Sequence, residues 1–260
     1  VDAAIVTIGD PLGIFRVFGI GEAQVAEACA GLLEGDLATH GAGASIQYEV
    51  AFPEVLVRLV VRDQAGRAAD RLATLAAALR TRLGPHLDGE GDETLIQRVG
   101  RRLAGRGLQV ATAESCTGGL VGALLTSVPG ASRYVRGGAI TYADAEKVRQ
   151  LGVSPATLAA HGAVSEEVVR EMAAGALARF GVDVAVAVSG VAGPDGGTAA
   201  KPVGTVWLAC AGGEAVSGAK GGTVAVKRLS WPGTRDQIRL GSAWWAIKMM
   251  EQTAFQVGAP

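Results

Sequence analysis

Ala111-Thr-Ala-Glu-Ser-Cys-Thr-Gly-Gly119 joins a strand-like run, Leu108-Gln-Val-Ala-Thr112, to a helix-like run, Leu120-Val-Gly-Ala-Leu-Leu-Thr126. Ser115 and Cys116 therefore fall where a strand ends and a helix begins. The first amides of a helix have no intrahelical partner, so they can hold an anion or a developing oxyanion. Gly118 and Gly119 let a ligand approach that backbone without Cβ interference. A nucleophile beside such donors points to acyl transfer. The same residues also describe a Gly-rich turn in which Ser115, Cys116 and Thr117 merely cap the helix. The stretch alone leaves both readings open.

Outward from this turn the pattern alternates. A helix is expected from Thr94 to Arg106, with Ile96, Val99 and Leu103 on one face and its arginines on the other. Strand-like Gly138–Tyr142 precedes a helix from Ala143 to Leu151. Ser154-Pro155 opens a short helix to about Ala160, and Ser165 caps the next, with Glu166 and Glu167 complementing its dipole. Val182–Val188 reads as a buried strand, Val203–Ala211 and Thr223–Ser230 as adjacent strands. A capping box, Thr234 with Gln237, opens a last helix lined by Ile238, Trp245 and Met249. Alternating helices and strands followed by adjacent strands give an α/β fold, a sandwich built on a mixed sheet.

Upstream lies a smaller α+β unit. Phe15–Phe18 is strand-like, and Glu22–Leu33 carries Val25, Cys29 and Leu32 at helical spacing. Ser45–Val50 and Val55–Val61 flank Phe52-Pro53 as a hairpin, followed by a helix from about Arg67 to Leu83. Gly19-Ile-Gly21 lacks the third glycine of a phosphate loop and reads as a tight turn. Gly84-Pro-His-Leu-Asp-Gly-Glu-Gly-Asp92 reads as an exposed connection, dividing the chain into domains over residues 1–88 and 92–260. Val1 is not Met and Ala3–Ile8 is strand-like, so the chain reads as beginning at a cut end with a truncated lead-in.

The chain has 260 residues and a net charge of −1, with no dense Lys/Arg block, which argues against nucleic acid as a partner. Cys29, Cys116 and Cys210 are widely spaced and show neither zinc spacing nor a disulfide framework, so no metal is expected and a cytoplasmic location is. No uninterrupted apolar run is long enough for a bilayer, and no signal peptide is visible, so no membrane association is expected.

Two further stretches look chemical. Ser189-Gly-Val-Ala-Gly-Pro-Asp-Gly-Gly197 starts where a strand ends, the usual ligand edge of α/β sheets. In Thr141-Tyr-Ala-Asp-Ala-Glu-Lys147, Tyr142 ends a strand and Lys147 lies one turn into a helix, so both can reach one point. A serine needs a base; a lysine kept neutral by desolvation can serve, with Tyr142 relaying the proton or orienting the amine. Cys116 competes as nucleophile, but a thiol would want an imidazole. His40 lies in the other segment, and His161 reads as a helix C-terminal dipole partner. Ser115 is therefore preferred.

TAESCTGG, GGAITYADAEK, HGAVSEEVV, SGVAGPDGG and KPVGTVW occur in an order and at spacings that resemble the CinA carboxy-terminal family, the nicotinamide-nucleotide amidases. The resemblance covers about residues 92–255. Residues 13–88 resemble the KH-like middle domain of full-length CinA proteins. It implies deamidation of nicotinamide mononucleotide to nicotinate mononucleotide and ammonia through a Ser-Lys acyl-enzyme, without a cofactor. Ser115 matches the family's nucleophile, Tyr142 and Lys147 its activating pair. Cys116, Thr117, Gly118 and Gly119 would supply backbone to the substrate. Ser189 stands where many relatives have threonine, beside Gly190, and Arg235 matches an arginine suited to the substrate's charge. The family also implies a homodimer. The alternative is a nucleotide-binding adaptor, linked to competence or DNA damage, that no longer turns over.

Overall fold

The computed structural model describes residues 12–34, 37–41, 43–62, 67–218 and 222–255. Strand-like Ala3–Ile8 lies outside these. The chain divides into two compact units between Thr94 and Leu95.

In the first unit, β1 (Leu12–Phe18), α1 (Glu22–Cys29), α2 (Ala38–Gly41), β2 (Ala44–Ala51), β3 (Glu54–Val61), α3 (Ala68–Leu83) and β4 (Leu87–Glu90) follow in order. The sheet runs β2-β3-β1-β4 and is antiparallel throughout. Val55, Val57, Leu59 and Val61 of β3 pack in one core with Val25, Leu75 and Leu79. The period-2 apolar face thus meets helical stripes, as alternation demands. Phe52-Pro53 makes the β2–β3 turn, with a cis peptide bond. Two expectations change here. The first helix stops at Cys29, and the stretch 84–92 is no plain connection. Leu87–Glu90 pairs antiparallel with β1, and Arg80 ties Glu90 through two hydrogen bonds of 2.6 and 2.7 Å. Glycine and acidic residues argue against a strand locally, but an open sheet edge supplies the missing partners.

In the second unit, α4 (Leu95–Arg106), β5 (Val110–Glu114), α5 (Leu120–Thr126), β6 (Val135–Ile140), α6 (Asp144–Leu151), α7 (Pro155–His161), α8 (Glu166–Phe180), β7 (Val184–Gly190), β8 (Thr205–Gly212), α9 (Glu214–Ser217), β9 (Thr223–Ser230) and α10 (Arg235–Phe255) follow. The sheet order is β6-β5-β7-β8-β9; the β6-β5-β7 trio is parallel, and β7-β8 and β8-β9 are antiparallel. The fold is the expected α/β sandwich on a mixed sheet. Ala111, Ala113, Ala139, Ala185 and Ala187 pack with Val168, Met172 and Ala176 of α8. Alternation sends Val184, Val186 and Val188 to the opposite face, where α10 covers β7 and β8. Small residues let α8 lie close: a Cβ on Gly175 would come within 1.9 Å of the Leu151 oxygen. The Ser165 hydroxyl caps α8 by accepting from Val168 N, and Thr234 with Gln237 closes the capping box of α10.

Strands β5 and β6 differ from expectation in extent. β5 ends at Glu114 rather than Thr112, and β6 ends at Ile140 rather than Tyr142. The parallel pairing of Glu114 with Ile140 and with Val188 draws β5 two residues further, into the polar turn.

Candidate active site

The carboxyl ends of β6, β5 and β7 bring the singled-out stretches together. The ladder continues past the strands: Ser115 N donates to Val188 O (2.9 Å) and Thr141 N to Glu114 O (2.8 Å). Ser115, Thr141 and Ser189 thus continue the alternation of Ala113, Ala139 and Ala187 on the α8 side. Ser115 is 8% exposed, and its hydroxyl makes no hydrogen bond among the described residues. The Thr141 hydroxyl is buried and likewise has no partner among them.

Lys147 is 1% exposed, a large cost for a cation unless its donors are met. They are. Nζ donates to Thr141 O (3.0 Å), Tyr142 O (3.2 Å) and Asp144 Oδ1 (3.2 Å), matching an ammonium's three N–H groups. No hydrogen bond joins Lys147 to Ser115. Tyr142 also differs from expectation. It meets Lys147 through its backbone carbonyl, while its phenol is 60% exposed and accepts from Arg235 Nη2 at 3.2 Å.

On the other side of the sheet the turn into α5 is occupied by the chain itself. The buried Glu114 carboxylate accepts from Gly119 N (2.9 Å), Val121 N (3.0 Å) and Gly122 N (2.9 Å). Gly118 N donates to Ser115 O at 3.0 Å. The expectation that amides of residues 116–119 await an anion is therefore narrowed. Those of Gly118 and Gly119 are taken, that of Cys116 meets its own thiol, and that of Thr117 meets no acceptor among the described residues. The helix end attracts negative charge as its dipole requires, but the charge is Glu114. Gly118 (φ 62°) and Gly119 (φ 99°) are needed for this turn because both lie in the left-handed region.

Two arginines one turn apart on α10 reach the mouth. Arg235 Nη1 donates to Gly193 O at 2.6 Å, joining the 189–197 loop to Tyr142. Arg239 donates from Nε to Cys116 O (3.2 Å) and from Nη2 to Thr117 O (2.9 Å). Sequence reasoning singled out Arg235 and missed Arg239. The signal was present, since residues four apart share a helical face. It also missed the partners of Glu114, although a carboxylate just before a helix start is an electrostatic cue.

Burial pushes the Cys116 thiol up to about 12; a hydrogen bond from its own backbone amide offsets this in part, the Glu114 carboxylate adds to it, and Arg239 and Arg235 offset it further. A thiol so held is a poor nucleophile at neutral pH. Ser189 turns its proton away from the mouth, donating to Ala163 O at 2.7 Å, so the expected hydrogen bond to a ligand is limited to its acceptor lone pairs. Gly190 serves packing: a Cβ there would lie 2.6 Å from Val206 Cγ2. His161 closes α7 and pairs with Glu167 at 3.3 Å, while Lys201 of the KPVGTVW stretch donates to His161 O at 2.7 Å. Among the described residues no group of three or more His, Cys, Asp or Glu could hold a metal ion, and no helix is long and apolar enough to cross a membrane.

Comparison with known proteins places this arrangement. The chain is 48% identical over 240 residues to a competence-damage inducible protein of Symbiobacterium thermophilum, covering 91% of this chain and 55% of that one. It is 42% identical over 236 residues to a CinA-like protein of a Geobacter species, covering 91% and 53%. The chain thus spans about half the length of the curated relatives it matches. Among solved structures it is similar to the competence/damage inducible protein CihA of Agrobacterium tumefaciens, with a TM-score of 0.56 and 39% identity, covering 62% of this chain and 96% of that one. A competence damage-inducible protein A of Klebsiella pneumoniae gives a TM-score of 0.56 at 37% identity, covering 61% and 93%. Residues 92–254 match the CinA C-terminal domain, so the chain belongs to the CinA family.

Proposed function

We propose that the second unit is an amidohydrolase that converts nicotinamide mononucleotide to nicotinate mononucleotide and ammonia. One observation carries this reading: an unpartnered Ser115 hydroxyl beside the unpartnered amide of Thr117, at the carboxyl end of parallel strands. Buried polar groups are normally satisfied, and groups left open at such an edge suit a ligand. Ser115 attacks the carboxamide carbon while its proton passes to the Lys147 amine. The oxyanion forms against the Thr117 amide and against that of Cys116, which exchanges its own thiol for the stronger acceptor. The C–N bond then breaks as Lys147 returns the proton to the leaving nitrogen, and ammonia departs. Water attacks the ester and gives a proton to Lys147, which passes it to the Ser115 oxygen as the acyl C–O bond breaks, releasing nicotinate mononucleotide. Arg235, with Tyr142 beside it, offers a guanidinium to the phosphate.

This cycle requires Lys147 to release a proton and one acceptor. Asp144 is the contact that gives way most cheaply, because its side chain is 61% exposed and water can replace the amine there. The three-acceptor cradle also favours a second reading, in which the pocket binds a nucleotide without turnover and Lys147 stays a structural cation. The experiment is an ammonia assay on nicotinamide mononucleotide, with Ser115→Ala in parallel. Release by the parent and none by the variant supports the hydrolase. Tight binding without release by either supports the adaptor. We further propose that the first unit is the KH-like domain of a CinA protein.

A further inference from the structure

Arg235 and Arg239 do different things although they share a helical face. Arg235 touches an exposed phenol and one loop carbonyl, and stands at the open side of the mouth. Arg239 has both Nε and Nη2 committed to consecutive carbonyls of the turn that follows Ser115. Its ion pair with Asp236, 3.8 Å long on an exposed carboxylate, contributes little.

The consequence follows from peptide geometry. The Cys116 C=O and the Thr117 N–H belong to one planar trans unit and point in opposite directions. With Arg239 Nε on the Cys116 oxygen at 3.2 Å, the Thr117 N–H is turned away from the guanidinium. The second bond, to Thr117 O at 2.9 Å, holds the next peptide, whose N–H (Gly118) closes back onto Ser115 O at 3.0 Å. Arg239 thus holds two successive peptide planes, the second of them together with Leu120 N, which donates to Thr117 O at 3.3 Å. The turn's own bonds, Gly118 N to Ser115 O and Leu120 N to Thr117 O, do not hold the Cys116–Thr117 plane, and the glycines that follow add no restriction to it. Nor does the start of α5 help, its amides at 119, 121 and 122 being taken by Glu114.

We propose that Arg239 is a positioning residue that aims the Thr117 N–H at the oxyanion formed when Ser115 attacks. The inference rests on the acyl-transfer reading above and assigns Arg239 to the transition state rather than to substrate binding.

The test measures three things on the full chain: steady-state ammonia release, binding of nicotinamide mononucleotide on a Ser115→Ala background, and labelling of Ser115 by a fluorophosphonate, which also needs an oxyanion site. Arg239→Ala is expected to lower kcat and the labelling rate by roughly 10- to 100-fold, since losing one oxyanion donor outright costs about 100- to 1,000-fold. KM and binding should stay within about twofold, and added guanidinium should restore part of the rate. Arg235→Ala should instead raise KM. If the alanine variant fails to fold, Arg239→Lys carries the same expectation, because an ammonium cannot fork onto two carbonyls as a planar guanidinium does. Loss of binding with kcat intact, or labelling at the parent rate, overturns the assignment alone. A parent protein that neither labels nor releases ammonia overturns the hydrolase reading and this inference with it.

Discussion

Two buried polar clusters, one in each unit, are met in different ways. In the antiparallel sheet, Arg16 is buried and its donors meet Glu54 Oε2 (2.8 Å), Gly91 O (3.0 Å) and Asp92 O (3.1 Å). The guanidinium is met by the protein's own groups, as a structural one should be. At the carboxyl edge of the parallel strands the hydroxyls of Ser115, Thr117 and Thr141 have no partner among the described residues, and the Thr117 amide stays open. Buried polar groups without partners are costly, so a fold retains them where a ligand will complete them. The contrast teaches where to look for chemistry in this chain: at the unmet donors rather than at the largest cluster of charges.

Several substitutions sharpen or break that contrast. The largest effect is expected at Ser115. Ser115→Ala should lower ammonia release by at least about 1,000-fold, because a lost nucleophile leaves only binding and oxyanion contributions. Isothermal calorimetry should show nucleotide binding unchanged; retained turnover would dissolve the distinction drawn between the clusters.

Next comes Glu54→Ala, which strands Arg16 in the first sheet. Breaking a buried pair costs about 3–5 kcal/mol. Urea unfolding should register that loss in the first unit, while turnover per folded molecule stays at the parent value. A drop in turnover instead would tie the Arg16 cluster to the chemistry.

Glu251 on α10 offers a pH-resolved version of the same idea inside the second unit. Burial opposes its ionisation, yet hydrogen bonds and charge from Arg98, with Lys248 and Arg102, outweigh it and hold its carboxyl down at about 2. The sign follows: a depressed folded value contributes stability that is complete above the ordinary carboxylate range, near 4.5, and is lost as pH falls toward 2. Stability followed by thermal melting should decline over that window by on the order of 3 kcal/mol, using about 1.4 kcal/mol per pKa unit. Glu251→Gln should be less stable at neutral pH and flatter below 4.5. An unchanged acid profile would remove Glu251 as the cause.

The smallest effect is expected at Cys116. With its thiol pushed up to about 12, Cys116→Ala should keep turnover within about threefold, and iodoacetamide should modify the parent slowly at pH 8. Rapid alkylation that stops turnover would make the thiol, not Ser115, the reacting group.

What could be read along the chain was what short-range chemistry dictates. Ser165 before two glutamates, Thr234 three residues ahead of Gln237, and Phe52-Pro53 between apolar alternations each carry their partners within a few residues. The five motifs from TAESCTGG to KPVGTVW were enough to indicate the family. The tertiary structure decided the rest, because the deciding partners are far apart in sequence. Leu87–Glu90 is a strand only because β1 offers it an open edge, and β5 reaches Glu114 only because two parallel neighbours extend it. Pairing at those edges, and a helix that lies 120 residues downstream of Ser115 and carries Arg239, settled which amides are taken and which remain. A linear pattern can nominate a hydroxyl and a cation, but the hydrogen-bond directions that separate a cap from an oxyanion site exist only once distant backbone is brought alongside.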